Sequence, residues 1–576
     1  MKYRIERVDT IPLIIACLMK MKTHEIIDSI FIPHTNWSGL SYGQLAVLFV
    51  TYVLHSLTHR LSGMEDWLNL HKTVIEQTTG WKINQKDATD DRLGKMMSVF
   101  GEDDDKSCRF QLESGKRNIR AYGFPTDIGR YDTTSFNVFH KSDDPQKGLL
   151  NFGHSKNHRP DLLQFKQGLG VLDPAGMPLI TETLPGKCAD DRCYTPAWRR
   201  MAEIIGSPDF LFIADCKAAS METRATIDHE QGRYLFPMPM TGDTPKILKE
   251  LVLNLPEEVQ DIILEPKAGQ KEKERKVGVG FEVDQTIQAT LENKTVHEWQ
   301  ERWQITKSNA HAARRIKAFN ERLARADQKL KALKPKNEES AEAFLARAKR
   351  ILKNMKLQDY ICLDVHETME TKKKYKRRGR PGPNTPFDII EIHKLSLSAT
   401  HDSEAIEQHR LLAGWRIYVT NTPVDKMTLC QSSQYYRDEY LVERGFHRFK
   451  KGSIPALPLF LRIPERIKGL MLLLTVALQV LTSIEFVARK ELEESDDSIS
   501  GLVPGNPKMK TDRPTAERML SQFDNIHLII WSDGKKIIGS VVERLTPLQK
   551  QILSILKLPQ KIYDLDFENR KIINTT

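Results

Sequence analysis

The chain is poor in cysteine. Seven thiols, Cys17, Cys108, Cys188, Cys193, Cys216, Cys362 and Cys430, are scattered over 576 residues. That odd, irregular set excludes a secreted disulfide framework and points to a reducing compartment. Cys188 and Cys193 bracket Asp190 and Asp191, but no second Cys or His pair at zinc-finger spacing completes four ligands. No internal repeat is found. The apolar run Ile11-Pro-Leu-Ile-Ile-Ala-Cys17 is short for a leader, and Glu6 and Asp9 occupy its supposed basic flank. It reads as a first core helix or strand. Only Gly469–Ala488 approaches the roughly 20 apolar residues of a membrane span. Gln479, Glu485, Lys468 and Arg489 within and beside it suit a buried helix, so the chain reads as soluble, with no membrane partner.

What is present is an ordinary globular composition, 40% hydrophobic and 28% charged, long enough for several domains with cores of their own. Lys and Arg number 86 against 76 Asp and Glu, a formal +10 that favours a polyanionic partner.

Residues 1–110 read as a helical N-terminal domain, with Leu45, Leu48, Phe49, Tyr52, Leu57 and Leu61 near helical spacing. Over 111–245 the pattern becomes strand-like. GRYDTTSFNVF (129–139) predicts a strand, QGLGVLDPAGMPLITETLPG (167–186) two strands around an Asp-Pro-Ala-Gly turn, 195–206 a helix and FLFIAD (210–215) a short apolar strand. Residues 246–410 shift toward charge and look like an insertion rather than a continuation of the sheet. Ile316, Phe319, Leu323, Ala326, Leu330 and Leu333, then Ala341, Phe344, Ala348, Ile351 and Met355, predict an antiparallel helical hairpin, flanked by strands near 277–283, 360–368 and 388–397. Residues 411–500 return to a buried strand, GWRIYVTN, a helix over 435–451 and the long apolar helix. Residues 501–576 predict a hairpin turning at Asp533-Gly534 and a helix capped by Thr546. The class is α/β.

Three acids stand at or within these elements: Asp132 in the first strand, Asp215 closing an apolar strand and Glu443 on a helix. A continuous helix puts Tyr436, Glu439, Glu443 and Lys450 on one face. Carboxylates from separate elements can hold two divalent ions that activate a hydroxyl and stabilise a leaving oxygen in phosphodiester chemistry. Mg²⁺ prefers such an oxygen-only site, with Mn²⁺ as substitute.

YDTTSFNVF, HSKNHRPDLLQFKQGLGVLDPAGMPLITETLPG, FLFIADCKAAS and YYRDEYLVERGFHRFKKG, in that order, resemble the DDE transposases of the bacterial insertion-sequence four family. They look most like its sixteen-thirty-four subgroup, and NQKDATDDRLGKMM (84–97) is similar to the end of that subgroup's N-terminal domain. The resemblance implies a ribonuclease-H-like catalytic core interrupted by a mixed insertion domain, with Asp132, Asp215 and Glu443 as the catalytic, metal-holding acids. The family's helix signature Tyr-x2-Arg-x3-Glu-x6-Lys falls on Tyr436, Glu443 and Lys450, but the Arg position holds Glu439. Arg437, Arg444 or Arg448 could reach phosphate instead. The implied activity is binding of element ends, cleavage, and joining of 3′ ends to target DNA, by a homodimer on double-stranded DNA in the bacterial cytoplasm, associated with the nucleoid.

KKKYKRRGR (372–380) holds seven basic residues in nine. Its Arg378-Gly379-Arg380-Pro381 resembles a minor-groove AT-hook core, while a solvated charged loop is the plainer alternative. His154 and His158 could contact DNA or hydrogen-bond locally. Two other functions stay open: a metal-dependent endonuclease, since Asp215-Cys216-Lys217 echoes an acid-x-Lys pair, and an inactive DNA-binding derivative.

Overall fold

The computed structural model describes all residues except 1, 142–147, 154–158, 265–274, 292–293, 338, 534–535 and 566–576. His154, His158 and Gly534 of the expected turn lie outside the described residues. The architecture is mixed α/β around a nine-stranded sheet of order β4-β3-β2-β5-β6-β12-β9-β8-β7. Its strands are β2 (Ile128–Val138), β3 (Leu163–Leu172), β4 (Met177–Pro185), β5 (Leu211–Ala214), β6 (Arg233–Pro237), β7 (Gln260–Leu264), β8 (Arg275–Thr290), β9 (Val296–Ser308) and β12 (Trp415–Thr420). β2 runs parallel to β5, and β5 to β6; the other pairs are antiparallel. A three-stranded sheet joins β1 (Lys2–Arg7) to β13 (His527–Asp533) and β14 (Lys536–Val542), so the C-terminal hairpin pairs with the start of the chain. The last sheet is a ribbon of β10 (Ile361–Tyr375) and β11 (Phe387–His401).

The segment expected to leave the sheet instead extends it. β12 is an interior strand: β6 pairs with one side and β9 with the other. Phe281 on β8 and Ile305 on β9 then bury in the same cluster as Phe212, Phe236 and Ile417. Composition misled here because long hairpins carry charge on the face that meets water while one apolar row in two suffices to dock them. Only the helical pair Asn309–Lys331 and Ala341–Met355, with the β10–β11 ribbon, keeps a cluster of its own, built on Phe319, Leu323, Ala326, Leu330, Ala348 and Leu352.

Ile11–Lys20 is a helix buried along most of its length. The helix Tyr42–Ser56 ends before Leu57, which takes a left-handed conformation and is exposed. The apolar helix Pro464–Glu494 packs against Asp90–Glu102, Tyr42–Ser56 and β4. It alone is long and apolar enough among the described residues to cross a membrane, and 89% of its apolar window is buried inside the protein. That burial accounts for its composition.

The helix expected over 435–451 is two helices, Leu429–Arg437 and Tyr440–Lys451. At the junction the Glu439 amide bonds the Tyr436 carbonyl and the Leu441 amide bonds that of Asp438. These three-residue bonds tighten the chain into a turn that ends one helix and opens the next. Tyr436 therefore sits on a different helix from Glu443 and Lys450.

Candidate functional site

β2 and β5 pair in register from Ile128↔Leu211 to Tyr131↔Ala214. The next residue on each strand is an acid, Asp132 and Asp215. Neighbouring strands lie about 4.8 Å apart, so the pairing that the sequence separates widely makes these two carboxylate-bearing residues neighbours. Asp132 is half-buried, and its Oδ1 accepts from the Thr133 amide at 2.7 Å. Asp215 ends the strand and caps the turn Cys216–Ala219, with Oδ1 accepting from the Lys217 amide at 3.0 Å.

Oδ1 of Asp215 also accepts a 2.5 Å hydrogen bond from the Tyr194 hydroxyl. Tyr194 is fully buried at the start of the helix Tyr194–Ile205, edge-on to Tyr131 at 5.8 Å. Burial foremost, then the Asp215 and Asp132 charges, push its hydroxyl far above the usual range, so it remains a donor. Sequence reasoning missed Tyr194, since no local pattern links this helix start to Asp215.

The helix Tyr440–Lys451 lies against β2 and β3. A side chain at Gly445 would meet Leu169 at 2.9 Å, so glycine permits this close approach. Glu443 is exposed in the first turn, and the Lys450 ammonium donates to Thr134 Oγ1 at 2.6 Å on β2. Glu439 precedes the helix. Burial, and then the charges of Asp132, Glu443 and Asp215, raise its carboxyl to about 7, with Arg130 opposing. Four acids therefore share one electrostatic neighbourhood, including the one that stands where the resemblance expects arginine. Tyr436 packs on Tyr418 at 4.8 Å, and burial, then Glu439, raise its hydroxyl.

The arginines divide. Arg448 is buried, and its guanidinium is held by Glu485 at 2.5 Å and Glu517 at 2.9 Å. Arg444 donates to the Ala175 carbonyl at 3.0 Å and pairs with Glu485 at 3.2 Å. Arg444 fastens the Glu443 helix to the hairpin turn and to the long apolar helix while remaining partly exposed, and Arg448, buried between Glu485 and Glu517, is taken up by those two acids. Arg437 is exposed at the end of the preceding helix. Arg378 and Arg380 are exposed in the loop joining β10 to β11.

The acids Asp132, Asp215, Glu439 and Glu443 offer carboxylate oxygens of the kind a hard divalent cation takes, and a cation would offset the part of the Glu439 shift that, after burial, comes from the neighbouring acids. The side chains as they stand are not drawn into a coordination sphere: among the described residues no three His, Cys, Asp or Glu side chains form a group that could hold a metal ion. Lys217, the echo of a nuclease acid-x-Lys pair, turns its ammonium to Asp190, which also binds Lys166 at 2.7 Å. Its ammonium is thereby held by Asp190.

Residues 3–109 match a domain of unknown function, DUF4277. They take in β1 from its second residue, the N-terminal helices through Asp90–Glu102, and the start of the helix Asp104–Tyr122. No curated protein matches the sequence. Among solved structures the chain is similar to a cryo-EM structure of the piggyBac transposase synaptic complex with hairpin DNA, at 9% identity and a TM-score of 0.24. The overlap covers 50% of this chain and 57% of that one. At that score it carries no argument about the site.

Proposed function

We propose that the chain is a DDE-type transposase that binds duplex DNA, cuts it and joins 3′ ends to a target, with Asp132, Asp215 and Glu443 as its catalytic carboxylates. The single observation that carries this reading is the placement of Asp132 and Asp215 one step past the last paired residues of two parallel neighbouring strands. The strand order β4-β3-β2-β5-β6, antiparallel across the first three and parallel across the last, supports a ribonuclease-H-like core. The sequence resemblance supports the chemistry.

In this reading Asp132, Asp215 and Glu443 hold Mg²⁺, or Mn²⁺ in its place, and the ion supplies an activated hydroxyl and charge stabilisation at the phosphate. Lys450, Tyr436 and Arg437 contact the DNA end. Tyr194 fixes the orientation of Asp215. Pairing two element ends calls for a homodimer on DNA.

The test uses duplexes carrying the DNA that flanks this coding sequence. With Mg²⁺ the chain should nick at the element boundary and join the freed 3′ end to a second duplex. Glu443→Gln should lose cleavage by orders of magnitude while retaining binding, because the amide keeps size but not charge. Cleavage without joining would favour an endonuclease, and normal cleavage by Glu443→Gln would overturn the assignment.

A further inference from the structure

The β10–β11 ribbon has no part in the acid site. It pairs without interruption from Ile361↔His401 to Tyr375↔Phe387, fifteen residues on each strand, and among the described residues no other strand joins it. At roughly 3.4 Å per residue it extends about 50 Å. Only its root is anchored: Ile361, Leu363 and Leu397 belong to the cluster of the helical pair. From His366 to Lys394 every residue except Thr385 is exposed. A two-stranded ribbon wet on both faces is marginal alone, and this one carries its charge at the far end. Lys372, Lys373, Lys374, Lys376, Arg377, Arg378 and Arg380 gather there against one acid, Asp388, itself paired to Lys376 at 2.8 Å. The last cross-strand pair is aromatic, Tyr375 edge-on to Phe387 at 5.8 Å, with the Lys373 ammonium 4.3 Å over the Phe387 ring. Beyond it the loop turns at Gly379, at φ +130 with nothing within 4 Å of where a side chain would start.

We propose that this ribbon is an arm whose tip grips duplex DNA outside the stretch held at the acids. The inference rests on the reading of duplex DNA as the substrate, and not on the acids themselves. Charge decides the partner. A tip with this surplus suits a polyanion, and Lys372, Lys373 and Lys374 at the end of β10 with Lys376 just past it can neutralise neighbouring phosphates. Arg378 and Arg380, on either side of an unobstructed glycine, suit entry into a narrow groove. A second copy of this chain would have to cover the same tip at the expense of burying seven like charges.

Hydroxyl-radical footprinting of the full chain on duplex DNA flanking this coding sequence tests the arm, with two variants beside the parent. In the first, the seven basic tip residues are replaced by glutamine. In the second, His366–Met369 and His393–Ser396 are removed, four paired residues from each strand, which keeps the faces in phase and removes one charge of each sign. That shortens the arm by about 14 Å, or about four base pairs. The parent should protect two patches. The glutamine variant should lose the outer patch and lower the slope of log affinity against log salt by up to about 0.9 per phosphate contact. The shortened arm should keep the slope and move the outer patch by about four base pairs. An unchanged footprint and slope in both variants would overturn the arm while leaving the acid-site reading intact. An intact footprint with loss of self-association on sedimentation would overturn it in favour of a second copy. If the parent binds no DNA at all, both the arm and the DNA reading fall together.

Discussion

Asp132 and Asp215 are side by side because β2 and β5 are parallel and in register to the residue before each of them. Their proximity depends on no loop. It follows from two strands whose Tyr131 and Ala214 are paired, with the backbone fixing both carboxylates at the same level of the sheet. If both carboxylates act on one phosphate, they act as a unit. Asp132→Asn and Asp215→Asn should each lower cleavage by orders of magnitude, and the double variant should be little worse than either. Single-turnover rates on a duplex substrate measure this, and losses that multiply would mean that the two acids do separate work.

Tyr194→Phe removes one hydrogen bond to Asp215 and nothing of the ring packing on Tyr131. Removing such a supporting partner typically costs 10- to 100-fold in metal affinity or activity. Cleavage should therefore need more Mg²⁺ to reach half its maximum, with the far-ultraviolet circular dichroism unchanged. A parental Mg²⁺ titration would show that Asp215 is oriented adequately by the Lys217 amide alone.

Glu439 gives the structure a pH signature. In the folded chain without divalent cation, burial and the neighbouring acids raise it from 4.5 to about 7. Between those values the folded state keeps a proton that the unfolded state has lost, so stability falls as pH rises through that window. Glu439→Gln cannot ionise. In EDTA its thermal midpoint should match the parent near pH 4.5 and exceed it at pH 8. The same difference at both pH values would remove Glu439's titration as its source.

Glu301 on β9 is completely buried and accepts from Arg224 at 2.6 Å, Tyr234 at 2.5 Å and Trp303 at 2.8 Å. Arg224→Met leaves that charge without its counter-ion, a change that costs about 3–5 kcal/mol in such settings. The urea midpoint, followed by tryptophan fluorescence, should drop, and adding Glu301→Gln should recover part of the loss because the stranded charge is gone. A double variant as unstable as Arg224→Met alone would place the damage in packing instead.

Much of the fold was legible where one element speaks for itself. The strand-like run YDTTSFNVF, the Asp-Pro-Ala-Gly turn after it and the spaced apolar row from Phe319 to Leu330 each became the strand, hairpin or helix expected, because β-branched and aromatic content, turn residues and helical spacing are each carried by a few consecutive residues. The break at Asp438-Glu439 was not legible, since the residues on either side have helical patterns and the turn arises from how each half packs. Arg444 and Arg448 likewise read as charges on a helix surface until Glu485, on another helix, is placed beneath them.

Pattern along the chain thus set the type of many elements, though not β1, which lies in a stretch read as helical, and it set the burial of the 464–494 helix and the choice of Asp132, Asp215 and Glu443 as acids to watch. Neighbourhood was settled by folding: that β7–β9 extend the sheet past β12, that Tyr194 reaches Asp215, that Glu439 joins the acids and that a basic stretch is the tip of a ribbon. Periodicity is a property of a dozen consecutive residues, whereas strand order and ion-pair partners depend on contacts between segments hundreds of residues apart, which no local pattern encodes.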